Sequence, residues 1–304
     1  MKPSGLLFIL LLALSPLLNG CFIKSMAVDS IADSLAGTGD TFSSDNDPKL
    51  VGDAVPFSLK LMESVLSATP RHSGLLTALA KGFTEYGYAY VQTEGEYIND
   101  EDYPKAHEMK MRAKKLYVRA RDYGLRGLDA RHDHFSQLIR KDPKAALAKA
   151  KKEDVELLYW TGVAWMAALS ADKTDMELIG DRPQAEALIY GAYDLDPDYN
   201  EGDIHDFLIT YEASKPGGSL KKAKEHFKRS LELNKGMSAS TYVNYAENVD
   251  EAEKNKDEFQ EMLQKALDID PDKKPGSRLV NLIMQKRAKW LLSRMDKMDV
   301  IFEK

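Results

Sequence analysis

Cys21 is the one cysteine among the 304 residues, and it stands close behind an apolar run. A lone thiol can serve as a catalytic nucleophile, as half of an intermolecular disulfide, or as a handle that is acylated during processing. A nucleophile needs a neighbouring base, and no Ser, His or Asp arrangement surrounds Cys21. A second cysteine for an internal disulfide is missing. We therefore interpret Cys21 as the site of lipid attachment.

The residues before Cys21 have the form of a bacterial lipoprotein leader. Lys2 precedes an apolar block over residues 5–14, which has the length of a secretory signal and is too short to span a bilayer. The stretch "LNGC" at residues 18–21 resembles the lipobox at which lipoproteins are acylated and cleaved. Two acyl chains anchor a protein stably, whereas one gives marginal binding. By resemblance to sorted lipoproteins, Phe22 favours the outer membrane, with the folded body facing the periplasm.

Composition divides the chain into three parts. We predict a signal peptide over residues 1–20, a lipidated cysteine and flexible linker over 21–46, and one folded domain over 47–304. The linker is rich in Ser, Asp, Gly and Thr, which favours reach over fixed structure, apart from a turn of helix near Val28 to Leu35. The formal net charge of −6 leaves no basic surface for nucleic acid.

Other reactive residue types form no recognisable active site in the sequence. There are six histidines, and His132 and His134 flank Asp133 in the polar stretch "DARHDHFSQ". Adjacent helical positions point in different directions, so a solvated surface explains them better than a metal site. The sequence has no HExxH motif, Cys-rich ligand set, Gly-x-Ser-x-Gly elbow or phosphate-binding Gly loop. We predict a protein that is not an enzyme and has no cofactor or metal.

Any binding site must be positioned by helices. Apolar residues recur at a spacing of three and four along the chain after residue 47, and no window alternates as a strand does. Three segments end alike at Pro197, Lys235 and Pro271, with offsets of 38 and 36 residues. Five positions before each end lies a small residue, and eight before lies a large apolar one: Ala192, Ser230 and Ala266, and Ile189, Phe227 and Leu263.

This spacing is typical of the second helix in a tetratricopeptide repeat, where the small residue lets a neighbouring helix approach closely. The period exceeds that of the standard repeat, and the first-helix pattern is blurred. We predict an all-α fold, a degenerate tetratricopeptide-like helical solenoid, with a C-terminal capping helix within residues 275–298.

Aromatic residues are the remaining signal for a ligand site. Several of them share one helix face or crowd one helix, and core packing explains most stripes of this kind. The alternative is a ligand-lined concavity, because Tyr and Trp join an apolar body to a hydrogen-bonding tip. Under that alternative, the candidate ligand-binding residues are Tyr86, Tyr90, Trp160, Trp165, Tyr242 and Tyr245.

From Asp47 to about Met298 the chain resembles the TatT family, lipoproteins associated with TRAP transporters. The resemblance is carried by strings such as "ELLYWTGVAWMAALSADK" and "AKEHFKRSLELNKGMSASTYVNYAE". It implies a cryptic tetratricopeptide fold, a homotrimer with a central pore, and a periplasmic partner, the substrate-binding P subunit. The implied role is to store or hand over a small ligand, either hydrophobic or a carboxylate.

The resemblance also marks the helix containing Trp160 and Trp165, and the segment "YNEGDIHDFL" with His205, as shared features. If the ligand is anionic, Arg287 on the capping helix has the right residue type for a bidentate partner. A second hypothesis is a lipoprotein scaffold that binds envelope proteins through a broad polar groove. A ligand handler should instead present an apolar pocket or pore, and an enzyme should show a convergent titratable cluster.

Overall fold

The computed structural model describes residues 28–303, so the leader and Cys21 lie outside the described residues. Within that range the secondary structure is helical and contains no strand, which confirms the predicted all-α class. Residues 28–36 are helical. In chain order the α-helices that follow are α1 (Gly39–Ser43), α2 (Pro48–Leu66), α3 (Ser73–Tyr86), α4 (Thr93–Tyr97), α5 (Tyr103–Arg131), α6 (Phe135–Lys141), α7 (Pro143–Leu147), α8 (Val155–Ala171), α9 (Met176–Gly180), α10 (Arg182–Leu195), α11 (Asp203–Ser214), α12 (Leu220–Asn234), α13 (Ala239–Tyr245), α14 (Glu251–Glu253), α15 (Lys256–Leu267), α16 (Arg278–Leu292) and α17 (Met295–Phe302).

Local sequence explains where the long helices begin. The side chains of Asp47, Asp102, Ser219 and Asn255 each accept a hydrogen bond from a backbone N–H in the first turn of the helix that follows. These bonds satisfy N–H groups that have no partner within the helix. At α3 the capping group is the His72 imidazole.

The helices pack as successive pairs. The first helices of the pairs are α3, α8, α11 and α13, and the second helices are α5, α10, α12 and α15. Two first helices are extended by π-helical turns, over Gly87–Gln92 after α3 and over Ala246–Asp250 after α13. Stacked pairs of this kind are the architecture of a helical repeat.

The repeat spacing read from the sequence corresponds to close helix packing. Ala192, Ser230 and Ala266 are all fully buried, as are two of the large residues three positions before them, Ile189 and Leu263. Small side chains at these points bring neighbouring backbones together, and the large ones fill the groove beside them. The tetratricopeptide-like packing predicted for the C-terminal half is therefore present.

The segment expected to be a flexible linker is partly ordered. Ala32 is fully buried in the cluster that also holds Leu66 and Leu75. The Thr69 hydroxyl bonds to the Asp29 carboxylate at 3.1 Å, and His72 approaches the Asp33 carboxylate at 3.2 Å. Polar composition favoured a linker, but a few apolar side chains are enough to hold this segment against α3.

The two ends of the array meet. Arg287 on α16 bonds to Glu96 on α4 at 2.8 Å, and Lys286 bonds to Glu94 at 2.5 Å. Nearby, the rings of Tyr97 and Trp290 lie 5.1 Å apart. We call this junction between α4 and α16 the closing seam. It turns an open row of helix pairs into a closed one.

A Gly124→Ala substitution should test how tightly α5 and α8 pack. A Cβ atom at Gly124 would lie 2.8 Å from the Cβ of Thr161, which is closer than van der Waals contact. We expect urea denaturation to show a loss of about 1–3 kcal/mol in the free energy of unfolding. The control is Gly180→Ala, because a Cβ at Gly180 meets nothing within 4 Å. Equal effects from the two substitutions would contradict this packing.

Candidate functional site

Two first helices bring charged and aromatic side chains together. On α3, Lys81 places its ammonium 5.6 Å from the ring centroid of Trp160 on α8. One helical turn away along each helix stand Glu85 and Glu156, which interact as like charges. The Lys81–Trp160 distance and the repulsion between Glu85 and Glu156 fit antiparallel helices that face each other along one side, because positions four apart share a helix face.

The start of α11 completes this region. Tyr159 contacts Trp160 edge to face at 5.1 Å and lies 5.7 Å from the ring of Tyr199. The Tyr159 hydroxyl donates to the backbone carbonyl of Asp203 at 3.1 Å, and Asn200 donates to the Asp203 carboxylate at 2.6 Å. Because Asn200 (φ 44°) and Gly202 (φ 109°) adopt left-handed backbone, the chain turns sharply here.

We define the Trp160 site by the side chains that these three segments contribute, namely Lys81, Glu85, Glu156, Trp160, Tyr199 and Asp203. Glu85 is exposed to water, yet surrounding protein raises its carboxyl pKa, with Lys81 opposing and Glu156 adding to the rise. Burial raises the pKa of Asp203 to about 7, and the negative charge of Asp206 adds to the rise. The hydrogen bond from Asn200 acts in the opposite direction and lowers this pKa.

We call the surface of the first helices that carries the Trp160 site the inner face of the array, and from this site α3 continues through its π-helical turn toward the closing seam. Arg287 forms a two-bond pair with Glu247, at 2.7 and 2.6 Å, in addition to its bond with Glu96. Burial alone would lower the pKa of Arg287, but these carboxylates raise it. The charges of Arg287, Glu247 and Glu96 also act on the phenol of Tyr88. Burial raises the pKa of this phenol to about 12. Both π-helical turns therefore contribute to one buried ionic cluster, through Tyr88 and Glu247.

The predicted site residues do not form one group in the structure. Trp160 lies in the Trp160 site, half-buried. Trp165 is fully buried in the core, between the guanidinium groups of Arg121 and Arg140 at 5.3 and 5.2 Å from its ring. Arg287 has carboxylate partners on both sides, so a ligand carboxylate would have to displace one of them.

The remaining tyrosines predicted as ligand contacts pack within the fold. Tyr86 and Tyr90 stack on each other at 5.7 Å, and the Tyr90 ring lies directly against Gly52 of α2. In the C-terminal half, Tyr245 stacks on Phe227 at 4.0 Å, and Tyr242 contacts the same ring at 6.2 Å.

His205 is buried at the contact between α11 and α12. Its Nδ1 lies 2.9 Å from Nδ1 of His226, and the Tyr193 ring meets both imidazoles edge to face. Its Nε2 is buried without a hydrogen-bond partner. Burial lowers the pKa of His205 to about 4, with His226 adding to the effect.

The depressed pKa of His205 predicts acid sensitivity. The unfolded chain binds a proton at this histidine near pH 6.5, whereas the folded chain resists protonation down to about pH 4. Stability should therefore fall as pH decreases through this window, by up to about 3 kcal/mol from this group. Urea denaturation at a series of pH values measures the slope. His205→Gln should flatten it, and His107→Gln, at an exposed position, should leave it unchanged.

Sequence reasoning missed Lys81, Glu85, Glu156 and Asp203. Charged residues are frequent all along the sequence, so residue type alone does not single these four out. The available signal was the four-residue spacing of Lys81 with Glu85 and of Glu156 with Trp160, which places each pair on one helix face. It became informative only once α3 and α8 were known to be neighbours.

Two properties of residues 28–303 bear on other kinds of function. No group of three or more His, Cys, Asp or Glu side chains in that range could hold a metal ion. No helix in the same range is long and apolar enough to cross a membrane. Two open surface hollows, of about 370 and 450 Å³, are lined mainly by charged side chains on α5 and on α12.

Comparison with known proteins identifies the family. The family described as TRAP transporter T-component, TAtT, matches residues 44–298. A similar protein, an uncharacterized protein of Treponema pallidum (strain Nichols), is 29% identical over 293 residues, covering 90% of this chain and 91% of that protein. Because the family match spans most of the sequence, the chain belongs to the TAtT family, an accessory component of TRAP transport and not an enzyme family.

Proposed function

We propose that this protein is a non-enzymatic, periplasm-facing lipoprotein subunit of a TRAP-type transport system. It binds a small solute and exchanges it with the substrate-binding P subunit. The observation that carries this proposal is the Trp160 site, where an aromatic surface and charged groups meet on the inner face of the array. Ligand sites commonly combine apolar walls with a few charged groups that fix orientation.

The geometry fits transient binding. Trp160 and Tyr199 are half-buried, so their rings can contact a solute while the core beneath them stays packed. Glu85 is accessible to water, so a solute can reach the site without helices separating. Tyr159 is buried behind Trp160 and holds the turn before α11 in place through its bond to the Asp203 carbonyl.

The proposed assembly is a homotrimer with a pore, as the family resemblance implies. The chain is anchored by lipid on Cys21, with the outer membrane favoured. Residue 28 already belongs to a helix, so the chain between Cys21 and this helix spans at most about 25 Å. The folded body is then held close to the bilayer.

A Cys21→Ser substitution should move the protein from the membrane fraction to the soluble fraction.

The assembly is tested with the full-length chain, purified in a non-ionic detergent after co-expression with the substrate-binding protein of its transporter. Light scattering and native mass spectrometry should find a trimer that carries this partner. A monomer that does not retain the partner would overturn the trimeric model. Trp160→Ala is the matched variant, because it alters the inner face and should leave trimer formation intact.

A scaffold for envelope proteins is the second candidate. The two open hollows on α5 and α12 favour it, because charged residues line both of them and could pair with charges on a protein partner. Replacing Lys221 and Lys228 on α12 with glutamate separates the two hypotheses, because this charge reversal should abolish partner binding by a scaffold. The same substitutions should leave solute binding at the Trp160 site unchanged.

A further inference from the structure

Helix α2 carries a row of apolar side chains that the fold leaves uncovered. Leu50, Phe57 and Leu61 are 58%, 72% and 39% exposed. Their spacing of seven and four residues places them on one helix face, and Ala54 lies on the same face between them. We call these four residues the α2 stripe. Isolated exposed apolar side chains are ordinary on a protein surface, whereas a continuous row of them marks an interaction surface.

The core-facing side of α2 is a different one. The buried residues of this helix are Val51, Leu59, Met62 and Leu66. The last three of them pack in the cluster that also contains Leu75 of α3. The α2 stripe therefore does not serve the core of the described residues, and burying it needs a surface outside this chain.

Charged residues border the stripe on one side. Lys49, Asp53 and Lys60 form the next row around α2, and their side chains are largely exposed. Because a lysine has a long aliphatic stem, its ammonium can stay in water while the apolar groups beside it are buried. An apolar row next to exposed lysines is the pattern of a helix that lies in the interface of a bilayer.

The stripe lies close to the end of the chain that would carry the lipid. The Thr69 hydroxyl bonds to the Asp29 carboxylate at 3.1 Å, which fixes the helix over residues 28–36 beside the C-terminal end of α2. Leu61 stands about 8 Å from that end along the axis, because five residues separate it from the last residue of α2. The chain from Cys21 to residue 28 spans at most about 25 Å. A lipid on Cys21 therefore brings the bilayer within reach of the stripe.

We propose that the α2 stripe lies on the lipid bilayer, with Leu50, Phe57 and Leu61 inserted at the boundary between head groups and acyl chains. Helix α2 then runs along the membrane surface and fixes the orientation of the folded body, which a lipid anchor alone leaves free to rotate. This inference rests on the lipid anchor of the proposed function and goes beyond it by naming the protein surface that meets the membrane. A bilayer is favoured over a second copy of the chain because the short tether keeps this face near lipid in every copy.

The test places a single spin label on the stripe. Cys21 is the one cysteine of the chain, and acylation of its sulfur leaves no free thiol, so Phe57→Cys or Leu50→Cys supplies a unique site for a nitroxide. The full-length variants are expressed with their leader, purified from the membrane fraction in non-ionic detergent and reconstituted into phosphatidylcholine vesicles. Electron paramagnetic resonance compares collisions of the label with oxygen, which concentrates in lipid, and with a polar nickel chelate, which stays in water.

Labels at Phe57→Cys and Leu50→Cys should give a ratio of oxygen to chelate collisions at least about threefold higher than a label at Met176→Cys, because the interface excludes the chelate. Met176 is the matched control, since it is 75% exposed and is a single exposed apolar residue of α9. Adding Leu50→Asp and Leu61→Asp to the Phe57→Cys variant should return its ratio to the control value. Circular dichroism checks that each variant is folded.

Two results would overturn the proposal. A stripe label that meets the chelate as often as the Met176→Cys label does lies in water. Low collision rates with both reagents, together with dipolar broadening between labels, would mean that a second copy covers the stripe in place of lipid.

The failure of this inference is distinguishable from the failure of the lipid anchor. A chain that stays in the soluble fraction would refute both the anchor and the bilayer contact. A chain that reaches the membrane fraction with its stripe labels in water would keep the anchor and refute the contact alone.

Discussion

Replacing Arg287 with alanine should lower the free energy of unfolding by about 3–5 kcal/mol, because removing one partner of a buried ion pair leaves the other charge uncompensated. The Arg287 side chain is 11% exposed, and Glu247 is 18% exposed. Loss of the guanidinium would leave Glu247 and Glu96 without this partner and remove one of the links between α4 and α16. Urea denaturation of the full-length chain measures the change.

Three controls separate this effect from a general loss of charge. Arg287→Lys keeps the charge but not the two-bond geometry with Glu247, so its cost should be smaller than that of alanine. Lys286→Ala removes a neighbouring pair with Glu94 that is largely solvent-exposed, and should cost less than about 1 kcal/mol. Combining Arg287→Met with Glu247→Gln removes both charges and should recover part of the loss. An Arg287→Ala cost no larger than that of Lys286→Ala would contradict the role assigned to the seam.

The two tryptophans of α8 should separate stability from binding. Trp165→Ala removes a fully buried ring, and should cost about 3–5 kcal/mol. The guanidinium groups of Arg121 and Arg140 would lose the ring on which they stack. Trp160→Ala removes a half-buried ring from the inner face, and should cost about 1–2 kcal/mol.

Binding should follow the opposite order. Trp160→Ala is expected to abolish measurable solute binding at the Trp160 site while the chain remains folded. Trp165→Phe keeps most of the buried volume and should retain the wild-type affinity. Equal stability costs for Trp165→Ala and Trp160→Ala would contradict this assignment. So would a loss of the ligand in Trp165→Phe but not in Trp160→Ala, because the binding surface would then lie on the other side of α8.

The fold was predictable where the signal was local. Small residues such as Ala192 and Ala266 recur at a fixed distance before the end of each second helix, and their burial follows from that spacing. A turn of helix near residues 28–35 was predicted, but its packing was not, because nothing in this short segment indicates that Ala32 is buried beside Leu66 and Leu75. The closing seam could not be predicted from the sequence either, since Glu96 and Arg287 are separated by 191 residues and no sequence motif indicates that they pair.

The site was predictable only in part. Trp160 was identified by residue type, but Trp165 shares that type and is buried on another side of the same helix. The distinction depends on which helices pack beside α8, and residue type does not specify this. Glu85 and Glu156 look like ordinary surface carboxylates until antiparallel packing brings them together.

The closing seam also affects the order in which the chain folds and the place where unfolding begins. An open solenoid exposes its terminal units to solvent and loses structure from them first, which is why such proteins need dedicated end caps. Within residues 28–303 the two ends of the helix array contact each other at α4 and α16, so neither end of the array is a free starting point for unfolding. Helix pairs can form early from contacts close in sequence, whereas joining residues 94 and 286 requires the whole intervening chain to be in place. Closure should therefore be the late, slow step of folding, and its reversal the first step of unfolding.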